Sequence, residues 1–135
     1  MYECFTQPMV MLGIMFALHF FADFNLQIGS GMDRFKQRRW WREQIPEDDN
    51  ASWERYKNDY AVALMCHAAY WAIIVCLPLA MCGGTAYSVN VMIHAVIHST
   101  VDDLKANELA LNLKWDQIIH VVQVMCIWTV WVMFR

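Results

Sequence analysis

Two polar runs with four-residue spacing lie inside apolar stretches of this chain: His19-x3-Asp23-x3-Gln27 and His94-x3-His98-x3-Asp102. Residues four apart share one face of an α-helix. Each run is therefore a polar stripe on an otherwise apolar helix. His67 and His120 stand in two further apolar stretches. Polar groups surrounded by hydrocarbon are costly unless other polar groups meet them. The stripes thus restrict the fold to packings in which they face one another. They locate a working site and say less about its chemistry.

The 135 residues make room for one domain, and 59% of them are hydrophobic against 17% charged. A soluble domain this apolar would struggle to cover its surface. The expectation is an all-α membrane protein, a four-helix transmembrane bundle occupying residues 1–135. Its spans are expected at about 9–27, 61–82, 87–104 and 117–134. A spanning helix needs about 20 residues. The third stretch would fail on hydropathy alone. It is retained because Asn90, His94, His98 and Asp102 are each four apart, as on a helix buried in a bundle. That helix is expected in the centre, between spans one and four.

Basic residues set the orientation. Arg34, Lys36, Arg38, Arg39, Arg42, Arg55 and Lys57 lie between spans one and two, and Lys105 and Lys114 between spans three and four. Only Arg135 falls on the other side. A multi-pass protein of a bacterial inner membrane is expected, with basic loops cytoplasmic and both termini periplasmic. No Lys or Arg precedes the first apolar run, which reads as an uncleaved span rather than a signal peptide. Residues 28–60 form a charged, partly helical cytoplasmic insertion. Trp40 and Trp41, among Arg38, Arg39 and Arg42, suit a segment lying at the membrane interface. A solvated loop that only sets topology would have the same composition. Residues 46–50 read as a turn, with Asn50 or Ser52 capping a helix that leads into span two.

This topology carries every stripe to the slab between the bilayer centre and the inner headgroups. Neutral imidazole and carboxylate are ligands for zinc, iron or manganese. The candidate ligands of a divalent metal are His19, Asp23, His67, His94, His98, Asp102 and His120. Gln27, Asn90, Lys105, Asp116 and Gln117 are candidates to orient them. Lys105 would neutralise Asp102 or contact an anionic headgroup. The competing reading is a hydrogen-bonded proton or ion path built from the same groups. A lone membrane histidine commonly does no more than bond across helices; it is the sharing of one slab that singles these out. Cys4, Cys66, Cys76, Cys82 and Cys126 show no CxxC or disulfide-framework spacing and read as small apolar residues. No nucleophile, phosphate-loop or dinucleotide motif is present, and no catalytic residue is assigned. No basic stripe with interleaved aromatics speaks for nucleic acid.

The ordered set His19-Phe-Phe-Ala-Asp23-Phe-Asn-Leu-Gln27, His67, His98-x3-Asp102-x2-Lys105 and Asp116-Gln117-x2-His120 resembles a family of small bacterial and phage membrane proteins. That family is known only as domain of unknown function 3307. The resemblance covers nearly the whole chain except residues 33–58, a stretch longer and more charged than is usual there. It implies a polytopic membrane protein whose typical motif residues are those just quoted, and no established activity. The small size and charged loop suit a phage or prophage gene.

Three functions fit the pattern. The first is an intramembrane metal site, structural or hydrolytic, acting on a lipid-linked or cytoplasmic substrate at the inner leaflet. The second is a pore or transporter subunit, which needs a homo-oligomer because four short helices enclose little volume. The third is a phage–host interaction factor, related to exclusion or lysis, that binds a host membrane protein. The lipid bilayer is a partner in all three.

Overall fold

The structure, a computed structural model, describes residues 7–25 and 32–135. Its regular secondary structure is all helical, with no strand among the described residues. Helix α1 spans Pro8–Phe20, and its proline sits in the first turn, where a missing N–H costs nothing. It runs into a wider π-type turn, Phe21–Asn25. The insertion holds three short helices: α2 (Met32–Phe35), α3 (Arg38–Gln44) and α4 (Asn50–Tyr56). Helix α5, Asp59–Val75, is followed by a 3-10 segment at Leu77–Met81, where Pro78 cannot continue an α-helix. Helix α6 spans Gly84–Ala106 and α7 spans Leu113–Phe134.

Caps set several of these boundaries. The Asp49 side chain accepts from the Ser52 N–H at 3.0 Å and starts α4, so the cap is Asp49 and not the Asn50 or Ser52 expected from the sequence. That bond to Ser52 holds the Asp49 carboxyl below its ordinary pKa. Asn112 accepts from the Trp115 N–H at 3.1 Å and starts α7. Gly83 precedes α6 at φ +136°, a conformation open essentially to glycine alone.

The long helices form a ring. Helix α1 packs on α5 and α7, and α6 packs on the same two from the opposite side. The largest of these interfaces is the antiparallel pair α5–α6, joined through the 3-10 segment and the Gly83 turn. Tyr87 adds a bond from its hydroxyl to the Ile73 carbonyl at 3.3 Å. Helix α6 therefore does not sit between α1 and α7, contrary to the expectation for the third stretch. The pairing is decided by the short connection at residues 82–83.

The ring is apolar at one end and polar at the other. Met11, Met15, Trp71, Ala72, Val75, Leu79, Val124, Ile127 and Trp131 form the apolar core. At the end carrying the insertion and the 107–112 connection, the interior holds Asp23, His67, His98, Asp102, Asp116 and His120 instead. Helix α6 has its polarity inverted relative to a water-soluble helix. His94, His98 and Asp102 are buried, while Met92 is 71% and Val96 66% exposed, alongside Val89, Ile93 and Ile97. Among the described residues one helix, α7, is long and apolar enough to cross a membrane, and Pro8–Phe24 is a shorter apolar helix. Helix α5 has 17 residues, and α6, with 23, carries the polar stripe.

Candidate metal centre

Each helix of the ring supplies part of one buried cluster. The π-type turn of α1 brings Asp23, α5 brings His67, α6 brings His98 and Asp102, and α7 brings Asp116 and His120. All are 6% exposed or less. His67 Nε2 lies 3.2 Å from His98 Nε2, 3.6 Å from Asp23 Oδ1 and 3.6 Å from Asp102 Oδ2. His120 Nε2 lies 3.4 Å from Asp102 Oδ1 and 3.3 Å from Asp116 Oδ1. Among the described residues, two groups could hold a metal ion: Asp23–His67–His98 and His98–Asp102–His120.

The separations suit coordination. Bonds of about 2.0–2.2 Å arranged tetrahedrally put ligand atoms about 3.3–3.6 Å apart. The His67–His98, His67–Asp23 and His67–Asp102 distances bracket that range. His98 Nε2 to Asp102 Oδ2 is longer, at 3.9 Å.

Surrounding groups hold these side chains in place. Gln117 donates to Asp23 Oδ2 at 2.9 Å and to Asp116 Oδ2 at 3.1 Å. The Gln123 side-chain oxygen faces His120 Nδ1 at 2.9 Å, and its NH2 donates to the His94 carbonyl at 3.2 Å. The Trp71 ring stacks on His98 with centroids 4.4 Å apart, fixing the imidazole plane. Two ammonium groups reach in. Lys36, itself buried, pairs with Asp102 Oδ2, and Lys105 Nζ pairs with Asp116 Oδ2 at 2.7 Å. A cavity of about 410 Å³, lined by Asp23, Phe24, Asp33, Lys36, Asp102 and Lys105 among others, opens onto the cluster from the insertion side. A larger groove of about 950 Å³ lies over the insertion, between Arg38, Arg42, Trp53 and Asn107, away from the cluster.

The residues singled out in the sequence divide into several sets. Asp23, His67, His98, Asp102 and His120 converge as candidate ligands. His19 is buried, but its Nδ1 accepts from Trp71 Nε1 at 3.0 Å, and it belongs to neither group. His94 is also outside both groups; its carbonyl and ring face Gln123. Asn90 bonds its own helix, at the Ala86 carbonyl 2.8 Å away, and orients no imidazole. An amide side chain four residues along a helix finds that carbonyl before it finds a partner across the bundle. Asp116 and Gln117 do support the cluster. Lys105 meets Asp116 rather than Asp102, because Lys36 already occupies Asp102. Gln27 lies outside the described residues.

In the insertion, Arg38 stands over the Tyr60 ring at 4.7 Å, Arg39 pairs with Glu43 at 2.7 Å, and Arg42 stands over Trp53 at 5.1 Å. Trp40 and Trp41 pack edge-to-face, and Trp41 Nε1 donates to the Phe35 carbonyl at 2.8 Å. The cysteines Cys66, Cys76, Cys82 and Cys126 are free, and none joins the cluster.

Sequence reasoning missed Lys36, Trp71 and Gln123 as members of the site. Gln123 carried a signal, a polar residue three after His120 inside an apolar run. Compared with known protein families, curated proteins and solved structures, the chain matches none.

Proposed function

We propose that this chain is an integral membrane protein that binds a divalent metal ion at the insertion end of its bundle and uses it hydrolytically. The observation that carries the reading is the convergence of Asp23 Oδ1, His67 Nε2, His98 Nε2 and Asp102 Oδ2 at coordination spacing in a buried site. A bound divalent ion activates water by bringing its pKa toward about 7. Lys36 and Lys105, lining the adjoining cavity, suit a substrate with an anionic group, lipid-linked or cytoplasmic.

The inverted polarity of α6 supports the membrane placement, since exposed Met92 and Val96 with buried His94 and His98 reverse what water selects. All four long helices then span the bilayer, with α1 and α5 short and the polar end toward the cytoplasm. Both termini lie outside, and Trp40 and Trp41 rest at the inner interface. This arrangement agrees with the resemblance to domain of unknown function 3307.

Metal content of protein purified from membranes without chelator is the test. A divalent metal is expected at one or more ions per chain. His67→Ala and His98→Ala are expected to lose it, and Cys76→Ala is expected to retain it. Wild-type protein that carries no metal and takes none up on dialysis would overturn the reading and leave a hydrogen-bonded polar core.

A further inference from the structure

His120 is the imidazole that the ion just described does not use. The Gln123 amide nitrogen donates to the His94 carbonyl, which turns the Gln123 oxygen toward His120 Nδ1 at 2.9 Å. An amide oxygen only accepts, so Nδ1 carries a proton. A neutral His120 then presents a bare lone pair at Nε2. That lone pair points among carboxylate oxygens, Asp116 Oδ1 at 3.3 Å and Asp102 Oδ1 at 3.4 Å. Neither His120 Nε2 nor Asp116 Oδ1 has a hydrogen-bond partner, and both residues are 0% exposed. Electron-rich atoms brought together without water repel one another unless a positive charge, either a proton on Nε2 or a metal ion, lies between them.

The geometry points to a second divalent-cation position, held by His120 Nε2, Asp116 Oδ1 and Asp102 Oδ1. This inference rests on the first ion, because Asp102 serves both. Its Oδ2 faces His67 at 3.6 Å and its Oδ1 faces His120 at 3.4 Å, so one carboxylate bridges two ions. Bridged pairs of this kind sit about 3.5–4 Å apart and clamp the attacking and leaving oxygens of a displacement.

The supporting bonds are arranged for such a position. Lys105 and Gln117 both hold Asp116 Oδ2, which leaves Oδ1 for the ion. Gln123 holds the far nitrogen of His120 and fixes the ring with Nε2 directed inward. One imidazole and two carboxylates favour a borderline or hard divalent ion such as zinc or manganese.

Manganese distinguishes the possibilities. Full-length protein in detergent, stripped with chelator and reloaded with Mn2+, is expected to hold two ions per chain with an exchange-coupled electron paramagnetic resonance spectrum. Asp116→Asn, which keeps size and one hydrogen-bonding oxygen, is expected to hold one ion with an uncoupled spectrum. One ion in the wild type, two in Asp116→Asn, or two uncoupled ions in the wild type would each overturn the second position and leave the first standing. A wild type that binds none removes both. Should Asp116→Asn fail to fold, the wild-type stoichiometry and coupling decide the matter alone.

Discussion

Lys36 shows how much one side chain can depend on a distant partner. It belongs to a basic run that otherwise sits on the surface, yet it is buried against Asp102, 66 positions away. Removing one partner of a buried pair leaves the other as an uncompensated charge, at a cost of about 3–5 kcal/mol. Lys36→Ala is therefore expected to lower stability by that order in metal-free protein, read by chemical denaturation in detergent. Adding a divalent metal is expected to recover much of the loss, since the ion supplies the missing positive charge. The sequence made Asp102 legible because its four-residue spacing from His98 survives in any helix. Nothing local distinguished Lys36 from Arg34 or Arg38. The same holds for Trp71, whose indole N–H caps His19 from 52 residues away.

Among the elements, the long helices were legible and their arrangement was not. Apolar stretches read at 61–82 and 87–104 became α5 with its 3-10 extension and α6, because Gly83 breaks them where the sequence placed a double glycine. The π-type turn at Phe21–Asn25 left no local signature. It holds Asp23 in the cluster at the point where α1 ends. Side-by-side packing of α5 and α6, rather than a central α6, follows from the tight turn between them, which hydropathy does not encode. That turn can be probed directly. Gly83→Ala must force a side chain into a positive-φ conformation and is expected to cost about 1–3 kcal/mol. Gly84→Ala begins the helix with nothing within 4 Å of the new Cβ and is expected to be neutral or mildly stabilising. Thermal unfolding of the pair in the same detergent compares them; equal losses would mean that the turn is not strained.

At the scale of the molecule, the polar end of the bundle buries its charged groups while α6 turns apolar side chains outward. An exposed residue on a water-soluble protein usually tolerates substitution within about 0.5 kcal/mol. In a bilayer, a lysine at mid-helix costs about 2.5–3.5 kcal/mol. Val96→Lys, at a position 66% exposed on α6, therefore discriminates between the two settings. The membrane reading expects a sharp fall in membrane-inserted protein by fractionation, and unchanged levels would count against it. The ring also has a consequence in time. Ribosomes deliver α1, α5 and α6 before α7, so Asp23, His67, His98 and Asp102 are all synthesised before Asp116 and His120 exist. A nascent chain can thus bring together the ligands of the proposed first ion while its last helix is still being translated. The proposed second position would wait until that helix docks, so an ion there would report completed assembly.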